Sequence, residues 1–375
     1  MTGTTPRRLP RDLHPAAWWG WALGLAAAAS LTTNPLVLLG LAAAAWLVVV
    51  SRRSARAWAG SFRLYAGLAL MIVLVRVAFR IVFGVDTGHV VLDLPEVPLP
   101  DWVAGIRLFG PVTRESLLAG LYDGLRLGAI VVCVGAANSL ANPKRLLASV
   151  PAALYEVGTA LVVSVTIFPQ LADSVRRVRA AQALRGGPAG RVARTRRFLV
   201  PVLEDALERS LALAAGMDTR GYGRAGEAAR RERARSATLL LAALVGLGVG
   251  SYAVLDTTAP RLLATPMLVL GVLLAVAGLR AAGRRVSRTR YRPDRWLAAE
   301  TAATACGLAT AALVWWAGRT DLSAVHPGVE AWPTVTLPLL VAVAAASLPA
   351  WVTPPPVDPW QVAVVRTDVP LEVAA

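Results

Sequence analysis

Two arginine–glycine pairs stand at the ends of two predicted helices in the most highly charged region of the chain. Arg185-Gly186 ends the stretch AAQALRGG, and Arg220-Gly221 lies in LAAGMDTRGYG. Because glycine adopts the left-handed conformation that closes a helix, each arginine is expected in the last turn of its helix. From there a guanidinium can form a two-pronged, charge-assisted pair with a carboxylate of another protein. A single arginine of this kind is more simply explained as a charge that complements the helix dipole and faces water. Two of them on matched helices favour contacts with partners.

The two helices also share an internal repeat. PQLADSVRR (Pro169–Arg177) and PVLEDALER (Pro201–Arg209) have Pro, Leu, Asp, a branched aliphatic residue and Arg at the same five positions. In the second copy six apolar residues fall on one helical face, which predicts an amphipathic helix lying against an apolar surface. These residues are Val200, Leu203, Leu207, Leu211, Ala214 and Met217. Two equivalent helices indicate two equivalent partners.

The composition is that of a membrane protein. The chain is 56% hydrophobic and 17% charged, with a formal net charge of +16 and a mean hydropathy of +0.55. The positive charge, all arginine apart from Lys144, lies in short blocks between apolar stretches. That distribution is typical of cytoplasmic loops facing anionic lipid, and it argues against nucleic-acid binding.

The apolar stretches predict an all-α, polytopic membrane protein with about eight spans, each close to the length that a bilayer requires. Placing the arginine-rich segments inside puts both termini in the cytoplasm and the protein in the cell membrane. The predicted spans are residues 16–31, 36–50, 62–83, 114–137, 237–255, 262–279, 296–316 and 335–351.

The apolar segment Pro151–Phe168 conflicts with this topology. If it spanned, Asn142–Arg145 and the arginine-dense residues 176–235 would lie on opposite sides, although both carry cytoplasmic charge. We therefore expect that it does not span, and that it is either a buried helix of a cytoplasm-facing domain or a helix lying along the membrane interface. The chain then divides into a four-span domain (1–137), a cytoplasmic coupling domain (138–235), a core span (236–256), additional C-terminal spans (257–352) and a Pro-rich tail (353–375).

With these motifs in place, the sequence resembles the transmembrane T component of energy-coupling factor (ECF) transporters, the CbiQ-like proteins. That family carries Ala-Arg-Gly twice, at the tips of two cytoplasmic coupling helices, and the matching positions here are Leu184-Arg185-Gly186 and Thr219-Arg220-Gly221. The early turn Asn34-Pro35, the stretch Glu115–Gly128 and the run FPQL also fit. Leu184 and Thr219 depart from the usual alanine. The resemblance covers about residues 16–255, so the role of the last three spans is open.

The resemblance implies a non-catalytic scaffold without a cofactor. Its two helix tips would enter grooves on two ABC ATPase subunits, which form a homodimer or a heterodimer. ATP hydrolysis would then move the helices and reorient a separate S component that carries a vitamin or a metal ion across the membrane. The six residues at 184–186 and 219–221 would contact the ATPases.

A stand-alone secondary transporter or another multi-span permease is the alternative class of protein. A stand-alone secondary transporter needs ionisable groups in its spans, for which Arg76, Arg80, Asp123 and Arg126 are the candidates. We expect Asp123 to pair structurally with Arg76 or Arg126 instead of relaying protons.

Enzymatic activity has no supporting motif in the chain. The only lysine is followed by arginine, which excludes a P-loop ATPase. The three histidines and two cysteines are scattered without the spacing of metal ligands, so we expect no metal site and no disulfide.

Overall fold

The computed structural model describes residues 12–53, 60–83, 88–95, 109–149, 154–184, 191–221, 230–256, 261–283 and 294–356, which confirm the all-α class. The longer helices are α1 (Pro15–Ser30), α2 (Pro35–Arg52), α3 (Phe62–Val82), α4 (Arg114–Leu140), α6 (Tyr155–Leu184), α7 (Arg191–Thr219), α8 (Arg230–Leu255), α9 (Arg261–Gly283), α10 (Ala298–Thr320) and α12 (Leu337–Ser347). Short helices are α5 (Pro143–Ala148), α11 (Leu322–Val325) and α13 (Pro349–Val352), and the strands are β1 (Val90–Asp93) and β2 (Pro111–Thr113).

Within the described residues, seven helices are long and apolar enough to cross a membrane. They are α2, α3, α4, α10 and the segments Val157–Leu184, Ala234–Leu255 and Ala264–Gly283 of α6, α8 and α9. The first predicted span is α1, which has 16 residues, and the last is the short apolar segment Leu337–Val352. The protein is thus a multi-pass membrane protein, with a number of spans close to the predicted eight.

Helix α6 joins two segments that the sequence analysis had separated. The apolar segment ending at Phe168 and the repeat beginning at Pro169 form one 30-residue helix, with Pro169 inside it. Proline removes one backbone hydrogen bond, but the residues on both sides keep their helical preference, so the helix continues through it. The segment Val157–Leu184 is among the candidate spans, and its cytoplasmic placement stays a prediction.

The packing divides the chain into two compact units. One contains Met1–Leu146 and Asp294–Ala375, and the other contains Leu147–Pro293. This division differs from the five predicted segments, because the last helices pack against the first ones. The five segments also describe sidedness, which packing does not test, so they stay a prediction.

The core of the first unit lies where α1 packs against α4 and α10, and α2 packs against α4 and α12. Glycine allows the closest of these approaches. A Cβ atom on Gly24 of α1 would lie 2.3 Å from the backbone carbonyl carbon of Gly307 on α10, so a larger residue would force the two helices apart. The largest fully buried side chains around this contact include Trp21, Leu25, Leu38, Leu41, Val314 and Leu339.

Buried hydrogen bonds also connect the two ends of the chain. Asn34 caps α2 by accepting from the Leu36 amide at 3.0 Å, and its amide nitrogen donates to the carbonyls of Ala324 and Thr334, both at 2.8 Å. The Trp21 indole donates to the Ala346 carbonyl at 3.1 Å. Because unpaired polar groups are costly in an apolar core, these bonds fix the C-terminal helices on α1 and α2.

Helices α3 and α4 pack through a row of glycines at every fourth position. Gly120, Gly124 and Gly128 of α4 face the α3 backbone, and a Cβ atom on Gly124 would lie 2.9 Å from the Cα atom of Val73. Small residues at this spacing allow two helix backbones to approach closely. Helix α3 is otherwise little covered, since only 6% of its membrane-spanning stretch is buried.

The segment between α3 and α4 contains the two strands, which pair antiparallel, with Val90 opposite Thr113 and Asp93 opposite Pro111. All four residues of β1 are exposed. The extracytoplasmic loop predicted at Gly84–Val112 falls here, but its residues 84–87 and 96–108 lie outside the described residues.

The second unit contains two antiparallel helix pairs, α6 with α7 and α8 with α9. Helices α8 and α9 again approach through glycine, because a Cβ atom on Gly246 would lie 3.2 Å from the Cα atom of Gly271. The pair α6–α7 carries the repeated motif and both predicted helix tips.

Candidate functional site

Helix α7 ends as its sequence predicts. It runs from Arg191 to Thr219, and Gly221 follows with φ of +75°, in the left-handed region that favours glycine. The backbone amides of Arg220 and Gly221 donate to the carbonyls of Met217 and Asp218, at 3.1 and 2.9 Å. Arg220 is exposed, and its guanidinium has no partner among the described residues. Its charge is therefore available to another molecule.

The first predicted tip is described only in part. Helix α6 ends at Leu184, whose side chain is 89% exposed. Arg185 and Gly186 follow at once in the sequence but lie outside the described residues. The prediction that Arg185 matches Arg220 therefore rests on the sequence and on the helix end at Leu184.

Asp205 of the second repeat copy joins the two helices. Its Oδ1 accepts from Nε of Arg209 at 3.0 Å, and its Oδ2 accepts from the guanidinium of Arg177 on α6 at 3.4 Å. A hydrogen bond from the Ser174 hydroxyl is the largest cause that holds the pKa of Asp205 below its ordinary value, with Arg209 and Arg177 adding to it. Ser174 is itself 2% exposed. One carboxylate thus binds groups from both copies of the repeat.

A second set of contacts lies closer to the end of α6. The side-chain amide of Gln182 donates to the Arg197 carbonyl at 2.7 Å. The guanidinium of Arg179 lies 5.4 Å from the ring centre of Phe198. Residues later in α6 therefore meet residues earlier in α7, so the helices run antiparallel.

The antiparallel arrangement separates the two helix tips. Ser174 and Asp205 lie level with each other, ten residues before the end of α6 and fourteen before the end of α7. At 1.5 Å per residue the two C-termini lie about 36 Å apart along the helix axes and point in opposite directions. This geometry suits two separate contacts better than one shared contact.

The predicted apolar face of α7 is exposed. We call Val200, Leu203, Leu207, Leu211, Ala214 and Met217 the α7 stripe; Leu207 is 62% exposed and Leu211 is 69% exposed. The α6-facing side of the helix carries the buried Val202 together with Asp205. By helical geometry the stripe therefore lies on roughly the opposite side from α6. The predicted helix is confirmed, whereas the apolar surface that the stripe would lie against is not among the described residues and stays a prediction.

The charges within the spans pair differently from the sequence-based expectation. Asp123 of α4 pairs with Arg80 of α3 at 3.5 Å, and the predicted pairing with Arg76 or Arg126 is wrong. Side chains lean toward the N-terminus of their own helix, so in this antiparallel pair Arg80 and Asp123 lean toward each other. Arg126 instead donates to the carbonyl of Ser30 at the end of α1.

No group of three or more His, Cys, Asp or Glu side chains in the described parts of the chain is placed to hold a metal ion. The two cysteines are free, with Cys133 buried and Cys306 half-buried. The polar network at Asp205 consists of one acid with a hydroxyl and two guanidinium groups, and these are suited to holding helices together.

The sequence model of one protein family, described as "CbiQ: Cobalt transport protein", matches residues 6–231. That match covers more than half of the chain and includes both Arg-Gly pairs. The chain belongs to the CbiQ cobalt transport protein family. No curated protein sequence matches it. Membership in the CbiQ family makes the chain a component of a transport system. The match ends two residues into α8, short of the expected limit near residue 255, so nearly all of α8 and helices α9–α13 lie beyond it.

Two contacts between α6 and α7 have no signal in the sequence. The repeat drew attention to Asp173 and Asp205 as equals, but the structure gives them different roles, since Asp173 pairs only locally with Arg176 at 3.3 Å. Ser174 and Gln182 carried no motif. Their role depends on the register between α6 and α7, which an isolated sequence does not reveal.

Proposed function

We propose that this chain is the transmembrane scaffold subunit of an ECF-type ABC importer. Two cytoplasmic ATPase subunits would bind the tips of α6 and α7, and a separate S component would carry the substrate. Hydrolysis of ATP would move the two helices and thereby reorient the S component. The cargo would be a vitamin or a metal ion, and the family's description favours cobalt.

The observation that carries the proposal is the end of α7. Arg220 lies exposed beyond the last helical residue, with no partner in the described residues, and the preceding helix has Arg185 at the matching place. A guanidinium at a helix end suits an acidic groove on a partner. The separation of about 36 Å between the helix ends supports one ATPase at each tip.

The α7 stripe supports the second partner. A row of exposed leucines in a helix that also carries Glu204, Glu208 and Arg209 is poorly suited to water. Large exposed apolar patches in proteins mark interaction surfaces. We assign the stripe to the membrane-embedded S component.

The decisive experiment compares four arginine variants at equal expression in membranes. Arg185→Ala and Arg220→Ala each remove one proposed contact, and the double variant removes both. A charge-assisted hydrogen bond contributes about 1.5–3 kcal/mol, so each single variant should weaken binding of the ATPase pair roughly 10–150-fold. Arg220→Lys should restore little, because lysine lacks the planar fork.

The matched control is Arg176→Ala, an exposed arginine within α6 that lies about 12 Å along the helix from Leu184 and, among the described residues, pairs only with Asp173. It should leave capture of the ATPases and uptake of substrate unchanged. If Arg185→Ala and Arg220→Ala behave like this control, the two arginines only face water at the helix ends. The proposed coupling role is then wrong.

A second experiment tests the chain without partners. Purified and reconstituted into vesicles, it should neither hydrolyse ATP nor accumulate Co²⁺ or other solutes. Uptake by the chain alone would instead make it a secondary transporter, in which the Arg80–Asp123 pair lies within the transport path.

A further inference from the structure

Arg76 is a charged residue within a candidate membrane-spanning helix and has no partner among the described residues. It lies on α3, is exposed, and forms no ion pair, hydrogen bond or ring contact with any described residue. Asp123, on the neighbouring helix α4, pairs with Arg80. A charge within a bilayer is costly unless it is paired or reaches the interface, so Arg76 calls for a negatively charged group that the described residues do not supply.

The position of Arg76 along α3 places its head group within reach of the membrane interface. The helix ends at Val82, six residues or about 9 Å beyond Arg76. A long apolar stem lets an arginine at this depth keep its charged group in polar surroundings. Arg80, one turn further on, lies about 3 Å from the helix end.

These two arginines line a cavity. The cavity has a volume of about 390 Å³ and is lined by Arg76, Phe79, Arg80 and Phe83. The two phenylalanine rings stack with their centres 5.0 Å apart and form an apolar wall beside the two guanidinium groups. Arginine pairs bind phosphate oxygens in two-pronged geometry, and aromatic rings are typical of the level where lipid headgroups meet acyl chains.

The charges and the shape fit one kind of ligand. Two arginines face a single acid, which leaves one positive charge, and a phosphate diester carries one negative charge. The cavity is larger than a carboxylate needs, and its aromatic wall suits the glycerol and the start of an acyl chain. Only 6% of the spanning part of α3 is buried among the described residues, so this face of the helix is open to lipid in the described part of the chain.

We propose that Arg76 and Arg80 bind the phosphate of an anionic membrane phospholipid at the Val82 end of α3. Arg76 supplies the unpaired charge, while Arg80 is shared between the lipid phosphate and Asp123. The site lies apart from the α6–α7 helix tips and does not depend on the proposed coupling role.

The test uses the full chain in phosphatidylcholine nanodiscs that contain a minor fraction of phosphatidylglycerol. Native mass spectrometry then measures which lipid the released protein retains. The wild type should retain phosphatidylglycerol in preference to phosphatidylcholine, and Arg76→Gln should weaken that preference roughly tenfold or more, as expected for a lost charge-assisted bond. Arg63→Gln, at the opposite end of α3 and also exposed, should retain it like the wild type.

Two further measurements identify the ligand and exclude misfolding. Arg76→Lys keeps the charge and should retain part of the preference with an unchanged melting temperature. Excess inorganic phosphate should not displace the lipid. The proposal is overturned if Arg76→Gln retains phosphatidylglycerol like Arg63→Gln, or if inorganic phosphate displaces it. It is equally overturned if Arg76→Gln loses a co-purifying acidic membrane protein while its lipid preference is unchanged.

Discussion

Asp205 lies within α7 and Arg220 lies just beyond its end, and the two side chains have opposite surroundings. Asp205 is bound by Ser174, Arg177 and Arg209, whereas the guanidinium of Arg220 has no partner in the described part of the chain. Asp205 holds α6 against α7, whereas Arg220 is available to another molecule. Because α7 is held by Asp205, less conformational freedom is lost when Arg220 binds another protein, which favours such a contact.

Replacing Asp205 by Asn should loosen the α6–α7 pair. Asn keeps the shape but loses the charge that both arginines and Ser174 stabilise, so thermal unfolding should occur at lower temperature. Asp173→Asn, at the equivalent position of the first repeat copy, is the control, because its ion pair with Arg176 is local and exposed. An equal loss in both variants would contradict the joining role of Asp205.

The effect of Asp205 should also depend on pH in a defined direction. Because the pKa of its carboxyl is lowered in the folded protein, its stabilisation is complete above the ordinary aspartate pKa of about 3.9 and is lost as the pH falls through the lowered pKa. The difference in melting temperature between wild type and Asp205→Asn should therefore be constant near neutral pH and shrink in acid. A difference that grew on acidification would show that Asp205 is not held ionised.

At the scale of elements, two Asn-Pro pairs begin helices in different environments. Asn34 precedes Pro35 at the start of α2, and Asn142 precedes Pro143 at the start of α5. Both side chains accept from backbone amides, Asn34 from Leu36 and Asn142 from Lys144, each at 3.0 Å. Only Asn34 is fully buried and also donates to Ala324 and Thr334.

Asn34→Ala should therefore cost more than Asn142→Ala. Loss of a cap alone costs about 0.5–2 kcal/mol, which is the expected effect at Asn142. At Asn34 the buried Ala324 carbonyl also loses its donor, which adds about 1–3 kcal/mol. The Thr334 carbonyl loses a donor as well, but Thr334 is exposed and water can replace the bond. Chemical unfolding in detergent micelles measures both variants. Equal losses would mean that the C-terminal helices do not depend on Asn34.

The sequence predicted the elements better than their contacts. Apolar runs located α2, α3, α4, α8, α9 and α10, because spanning a bilayer demands a long apolar stretch whatever the neighbours are. The end of α7 at Gly221 followed from a local rule for glycine. No local rule predicts the pairing of Asp123 with Arg80, because it depends on the register in which α3 and α4 pack along the glycine row.

At the scale of the whole molecule, the C-terminal helices are part of the first unit's core. They lie beyond the CbiQ match at residues 6–231, yet Gly307 contacts the α1 backbone and Ala346 accepts the Trp21 indole hydrogen. From the sequence alone these spans are interpreted as an addition, because the motifs that carry the family resemblance all lie before them. Residues with no motif, such as the glycines at a helix crossing, decided where the helices pack.

The placement of α6 relative to the membrane is the last open prediction of the topology. Between Val157 and Ala172 the helix carries no charged residue, but Asp173, Arg176, Arg177 and Arg179 follow within the same candidate span. Sixteen uncharged residues extend about 24 Å, less than the roughly 30 Å of a hydrocarbon core. If α6 spanned the membrane, it would also carry the arginines of α7 to the side opposite Lys144, against the usual charge bias.

Cysteine labelling in intact cells distinguishes the two arrangements. In a chain with Cys133 and Cys306 replaced by alanine, single cysteines are introduced as Lys144→Cys and Thr195→Cys, on either side of α6. If α6 lies on the cytoplasmic side, a membrane-impermeant maleimide should label neither position until the cells are opened. A cysteine in the predicted outer connection, Ser323→Cys, should be labelled from outside and serves as the positive control. External labelling at position 195 but not at 144 would mean that α6 spans the membrane, and it would place the α7 tip where no cytoplasmic ATPase could reach it.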